Sequence, residues 1–275
     1  ILGEDYGEGA SSPQERSHAF AMKSSIWLLD PRPNLAVIAD LTEKAFELSE
    51  ASNSPVMMEM RIRACHVTGS FVTKDNARPR YSSKTRAAPA AFDPERISIP
   101  PFVHGQEKTK FDKRLGAAIG FIRDEKLNET FPGAHGGIGI IMQGGIYNTV
   151  VSALERLGLS NIYGDTEVPL HVLNVTYPLV DDEIAGFCAS KRHVLVVEES
   201  HPAYLEQAIN AILRKHDVNA EVIGKDVLPM TGEYTLTVMV DGLTKFLEGA
   251  VPPGVDLGAI ATAAKALGRA RDQAA

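Results

Sequence analysis

HVLVVEESHPAYLEQAINAILRKH, His193 to His216, decides how this chain folds. HVLVVEE reads as a buried strand that ends on two glutamates. A proline-bearing turn follows, and then the helix PAYLEQAINAILRKH. The same unit recurs on both sides. Upstream, GIGIIMQ (Gly137–Gln143) is a strand, and the helix after Gly144 and Gly145 runs through Val150, Ala153 and Leu157. VPLHVLNV (Val168–Val175) is the next strand and DDEIAGFCAS (Asp181–Ser190) the next helix. Downstream, AEVIG (Ala220–Gly224) is a last strand before the helix YTLTVMVDGLTKFLE (Tyr234–Glu248). Near-continuous apolar strands alternating with helices mean a parallel sheet covered on both faces. The Ala/Gly/Pro-rich tail after Glu248 has weak helical character and reads as a linker.

Toward the N-terminus the rhythm is sparser. Ile1–Ala19 is polar and Gly/Ser-rich, a loop leading into a helix, with Ser11 or Ser12 as cap and Glu15 three residues past Ser12. IWLLD (Ile26–Asp30) is a short buried strand closed by Pro31 and Pro33. From Asn34, the residues Leu35, Ile38, Leu41, Ala45 and Leu48 keep one helical face apolar until Ser54-Pro55 stops it. VMMEMRIR (Val56–Arg63) is a second strand, ending near His66. Strand–helix–strand is one parallel crossover, too little for a closed core of its own. Between Thr73 and Pro101 the chain is rich in Arg, Lys and Pro, and reads as a solvated linker rather than a phosphate or nucleic-acid surface. Phe111–Leu127 then reads as an amphipathic helix.

Bulk properties narrow the function. The 275 residues carry a net charge of -7, which argues against nucleic acid or an anionic membrane as main partner. No apolar run approaches the ~20 residues of a membrane helix. The 2 cysteines, Cys65 and Cys188, form no CxxC, and the histidines show no zinc spacing. A reduced, cytoplasmic protein is expected. The chain begins Ile-Leu-Gly rather than with Met, so a partial or processed sequence is expected too.

The motifs are mostly structural. In GGIGIIMQGG the GxG falls before or within the strand, so this is a tight strand-to-helix turn rather than a dinucleotide fingerprint; its N–H groups can still hold an anion. Arg63 and His66 leave a parallel strand at its carboxyl end, where ligands gather in open α/β sheets. Arg63 has the fork to clamp a carboxylate, and His66 is the candidate binding residue beside it. On strand alternation, Cys65 and His66 point to opposite faces and make no dyad. Glu198 and Glu199 likewise face opposite ways, so capping and interface roles outrank a shared acid–base role. Asp181, Asp182 and His201 are read first as helix-start residues. No GxSxG, P-loop, HExxH or kinase set occurs.

Four stretches carry a family resemblance: DYGEGASSPQERSHAFA (Asp5–Ala21), AFELSEASNSPVMMEMRIRACHVTG (Ala45–Gly69), LNVTYPLVDDEIAGFCASKRHVLVVEESHPAYLEQAI (Leu173–Ile209) and AEVIGKDVLPMTGEYT (Ala220–Thr235). In order and spacing they resemble the alpha subunit of indolepyruvate:ferredoxin oxidoreductase, a thiamine diphosphate-dependent 2-oxoacid:ferredoxin oxidoreductase. The resemblance implies an α/β fold: a parallel-sheet transketolase C-terminal-like domain preceded by the C-terminal part of a thiamine-diphosphate pyrimidine-binding domain. The corresponding segments are residues 1–73 for the pyrimidine part, 74–130 for a linker with one helix, 131–248 for the transketolase C-terminal-like domain and 249–275 for a tail.

The implied chemistry is oxidative decarboxylation of an aryl 2-oxo acid to an acyl-CoA, with ferredoxin as electron acceptor. The cofactors implied are thiamine diphosphate, Mg2+ and [4Fe-4S] clusters. The implied partners are the missing domains of the same subunit, a beta subunit, ferredoxin, CoA and the 2-oxo acid. In the family, the activating glutamate lies upstream of Ile1, and the magnesium motif and cluster cysteines lie beyond Ala275. A fragment that is inactive by itself is therefore expected. Ser11, Ser12 and Glu15 match the family's Gly-rich loop as cofactor-binding residues, although Pro13 and Arg16-Ser17 depart from it. Arg63 and His66 are the expected substrate-binding residues; no catalytic residue is expected on this chain. Two alternatives stand beside this reading: a transketolase-like or 2-oxoacid dehydrogenase beta-type enzyme, and a non-catalytic assembly or docking module.

Overall fold

The computed structural model describes residues 1–4, 17–75, 93–250 and 255–274. Two sheets organise it. The larger has the order β4-β6-β5-β8-β9. Its strands are β4 (Glu129–Phe131), β5 (Ile138–Gln143), β6 (Leu170–Leu173), β8 (His193–Val197) and β9 (Glu221–Ile223). Four of them run parallel, and β4 adds antiparallel to the β6 edge. Every residue of β5 and β6 is buried, as a sheet covered on both faces requires.

One face packs on α6 (Tyr147–Arg156), α9 (Leu236–Ala250) and α10 (Leu257–Ala274), around Ile140, Met142, Val150, Leu154, Met239 and Phe246. The other packs on α7 (Asp181–Cys188) and α8 (Tyr204–Lys215), around Ile141, Ile184, Val196 and Ile209. The tail expected to be a linker is helical from Leu257. Its Ile260 is buried in the cluster that α9 shares, so packing fixes a helix whose sequence signal is weak.

The smaller sheet has the order β1-β3-β2-β7, with β1 (Leu2–Glu4), β2 (Trp27–Leu29), β3 (Val56–Arg61) and β7 (Val175–Tyr177). The crossover β2–α2–β3 is parallel, with α2 at Leu35–Ser52. Asn34 caps α2 by accepting from the Ala36 and Val37 N–H groups, and Asn53, at φ 50°, ends it in the left-handed region. Trp27 is fully buried and donates its indole N–H to Ser52 Oγ at 2.7 Å.

Further details correct the sequence reading. Residues 2–4, expected to lie in a loop, form a strand paired with β3. Val56–Arg63 is not all strand: β3 stops at Arg61 and the chain turns into a short helix, α3 (Ile62–Cys65), so the alternation argument for Cys65 and His66 does not apply. Finally, Val168–Val175 is not one strand. It breaks at Asn174, and β7 pairs antiparallel with β2 of the other sheet.

Asn174 is the pivot of that break and is 1% exposed. Its carbonyl accepts from Asp30 N–H, and its Oδ1 from Arg32 N–H at 2.8 Å. Its Nδ2 donates to the Leu127 carbonyl and to Glu129. A buried amide with all these partners stitches the sheets without a desolvation penalty. The amphipathic helix expected over Phe111–Leu127 starts earlier, as α4 (Val103–Thr109), passes through a π-helical stretch at Lys110–Leu115 and ends as α5 (Gly116–Asp124).

Candidate functional site

From β5 the chain crosses through α6 to β6 on one side, then returns to place β8 on the other. The carboxyl ends of β5 and β8 therefore flank a topological switch point, where open α/β sheets bind ligands. Gln143 ends β5, and Glu198 and Glu199 follow β8. Gln143 Oε1 accepts from the Glu199 N–H at 2.9 Å and holds the two strand ends together.

The other sheet fills this crevice. Arg61 and Arg63, at the carboxyl end of β3, both reach Glu199. Arg63 forks onto it with Nη1 and Nη2, each at 2.9 Å, while Arg61 Nη1 lies at 3.3 Å. Tyr234 N–H adds a bond of 2.6 Å. Burial pushes the Glu199 carboxyl upward, but Arg63, Arg61 and the Tyr234 N–H outweigh it and hold it below the usual carboxylate range. Arg61 also pairs with Asp30 at 3.1 Å and Glu59 at 3.0 Å, all three being nearly inaccessible to solvent.

The glycine turn after β5 does hold an anion, and the anion is internal: Asp30 Oδ1 accepts from Gly145 N–H at 3.0 Å. The glycines are needed for close approach rather than for a dinucleotide. A Cβ on Gly144 would lie 2.0 Å from the Asp30 carbonyl oxygen, and one on Gly145 2.3 Å from Arg61 Cδ. Arg32 continues the seam with a bidentate pair to Glu129 (2.8 and 2.9 Å), its guanidinium 4.9 Å from the Tyr147 ring centre.

The two glutamates part company as expected from alternation. Glu198 accepts from the N–H groups of Tyr204, Leu205 and Glu206 at 2.8–3.3 Å and so caps α8. Burial pushes its carboxyl up to about 7, against the pull of those N–H groups and of Lys225. Lys225 donates to the Glu198 carbonyl and to Tyr234 Oη. Asp181 and Asp182 sit in the first turn of α7, and His201 lies just ahead of α8.

Of the expected site residues, Ser11, Ser12 and Glu15 lie outside the described residues. Arg63 sits at the crevice, but its donors go to Glu199, Glu233 and the Tyr234 carbonyl. His66 ends α3, exposed to solvent beside exposed Cys65. Asp30, Gln143 and Asn174 were not singled out as site residues from the sequence, although Asp30 closing an apolar strand carries the same signal as Glu198-Glu199.

Around the crevice the described residues do not by themselves fit the implied cofactors. The cavity beside the crevice measures about 20 Å³, room for a water rather than a diphosphate. No group of three or more His, Cys, Asp or Glu among them is placed to hold a metal. An iron–sulfur cluster takes about four thiolates, and this chain has 2. No helix among the described residues is long and apolar enough to cross a membrane.

The fold has a counterpart among solved structures. It superposes on the 2-oxoglutarate:ferredoxin oxidoreductase from Magnetococcus marinus with a TM-score of 0.51 and 15% identity, over 80% of this chain and 42% of that one. In sequence it is similar to indolepyruvate oxidoreductase subunit IorA. The Methanothermobacter thermautotrophicus protein is 29% identical over 250 residues, 89% of this chain and 38% of its own length. The Pyrococcus abyssi protein is 26% identical over 252 residues, 90% and 37% respectively. No family model matches. The resemblance drawn from the four sequence stretches is thus borne out, as is the fold class. The chain spans under two-fifths of the length of these relatives.

Proposed function

We propose that this chain is the structural middle of an indolepyruvate-type 2-oxoacid:ferredoxin oxidoreductase, which oxidatively decarboxylates an aryl 2-oxo acid to an acyl-CoA and passes electrons to ferredoxin. One observation carries the reading: the likeness to subunits of that name covers nine-tenths of the chain, across both sheets and their seam. Thiamine diphosphate, Mg2+ and the [4Fe-4S] clusters are assigned to the remaining domains of the same subunit and to what a beta subunit completes. Ser11, Ser12 and Glu15 are proposed to line the cofactor cleft, and His66 to face the 2-oxo acid. Arg63 serves the site by locking the seam. The geometry favours a scaffold role for the switch-point crevice itself, because Arg61 and Arg63 from the smaller sheet fill it.

The test is reconstitution of the complete subunit with its beta partner, followed by 2-oxoacid-dependent viologen reduction with thiamine diphosphate and CoA. Indolepyruvate should support turnover better than 2-oxoglutarate, and omitting thiamine diphosphate should abolish it. Reduction that no 2-oxo acid stimulates would overturn the proposal.

A further inference from the structure

Next to the charged seam lies a small polar cavity of about 20 Å³, lined among others by His18, Arg61, Gln143, Glu198 and Ser200. His18 belongs to α1 (Ser17–Ser24), packed on the smaller sheet, and Ser200 to the loop after β8 in the larger. Two buried side-chain atoms of these lining residues have no hydrogen-bond partner among the described residues: Ser200 Oγ and His18 Nδ1. Each such orphan costs about 1–3 kcal/mol unless something small bonds it. Ser200 is 4% exposed on a backbone fixed at φ 75°, and the His18 ring stacks on Tyr204 at 5.4 Å.

We propose that this cavity is a binding site for one hydroxylic molecule, a water, bridging Ser200 Oγ and His18 Nδ1 and thereby pinning α1 to the loop that carries Glu198 and Glu199. The size fits, since one water needs roughly 10–15 Å³ of such space and about two to four polar partners. Both orphans are neutral groups of the right kind. A serine hydroxyl donates and accepts, and burial together with the Arg61 charge holds the His18 imidazole at about 4, hence neutral with one ring nitrogen accepting. A monovalent cation is the competing occupant, drawn by Glu198 and Glu199. Against it, the Arg61 guanidinium lines the same wall, and both glutamates already accept from N–H donors. The inference stands on the cavity and the two orphans and does not depend on the enzymatic reading.

The experiment is a high-resolution crystal structure of this chain, grown with and without rubidium, paired with oxygen-17 relaxation dispersion in solution. One full-occupancy water within hydrogen-bond distance of both atoms is expected, with no rubidium signal. Ser200→Ala keeps the backbone geometry and removes one anchor; it should delete one long-lived water from the dispersion profile and lower Tm by about 2–4 °C. Ser200→Gly, which accepts the positive φ without strain, should lose the same water and guards against a folding defect in the first variant. A dry cavity, a rubidium peak, His18 bonded to a protein group, or an unchanged dispersion profile in both variants would each overturn the proposal.

Discussion

Replacing Arg63 by Met keeps length and apolar stem but removes the fork that holds Glu199. The Glu199 side chain is fully buried, and of its four N–H contacts Arg63 supplies two, both at 2.9 Å. Removing one partner of a buried ion pair costs about 3–5 kcal/mol, mainly because the other charge is left uncompensated. Here Arg61 at 3.3 Å and Tyr234 N–H at 2.6 Å remain, so about 2–3 kcal/mol is expected.

A urea titration of Arg63→Met should show a lower midpoint with an unchanged slope, because the native surface is preserved. The pH dependence supplies the sign. In the parent chain the Glu199 pKa is depressed, so its stabilisation is present above the unfolded carboxylate pKa and fades only as pH falls through the folded value. Without Arg63, burial dominates and the folded pKa rises. The penalty should then be largest near neutral pH and shrink as the solution is acidified and Glu199 protonates. The double variant Arg63→Met/Glu199→Gln should be more stable than Arg63→Met alone. A loss within about 0.5 kcal/mol, or a loss that is flat with pH, would refute the account of Glu199 as a charge held by the seam.

Other perturbations probe the rest of the junction and surface. Glu198→Gln should flatten the pH–stability curve between about 4.5 and 7: a carboxyl raised in the folded state gives its full stability below the unfolded value and loses it as pH rises through the folded one. Equilibrium unfolding at closely spaced pH values decides this. Gly145→Ala drives a Cβ to 2.3 Å from Arg61 Cδ and 2.6 Å from Asp30 Oδ1, so a loss of about 3 kcal/mol or a failure to accumulate as soluble protein is expected, measured by the same titration. Phe46, 74% exposed, borders an apolar groove formed with Ile1, Ala45, Pro55, Val56 and Met58. The parent chain should self-associate or bind hydrophobic dye, and Phe46→Glu should reduce both, as sizing chromatography and dye fluorescence will show.

How much of this was legible beforehand differs between elements. The strand at His193–Val197 and the helix at Tyr204–Lys215 came directly from apolar runs and helical spacing, as did α2 with its Asn34 cap. The separate duties of Glu198 and Glu199 agree with the expectation that they face opposite ways, although both lie just past the end of β8. The candidate site was legible only as a place, the carboxyl ends of strands. The partners found there were not: Arg63 meets a glutamate 136 residues away, and Gly145 an aspartate 115 residues away.

What the sequence by itself determined is the local layer, strands and helices in alternation and therefore a parallel, doubly covered sheet, because periodicity and capping act within a few residues. Tertiary structure decided the rest. Asn174 turns one strand into another sheet because buried partners from the Asp30–Arg32 and Leu127–Glu129 segments meet it there. The helix at Leu257–Ala274 is seated on α9 at Ile260. The switch-point crevice becomes a seam because two strand-end arginines and a buried glutamate are brought face to face. Which charge finds which is set by how two sheets pack, and no local pattern encodes it.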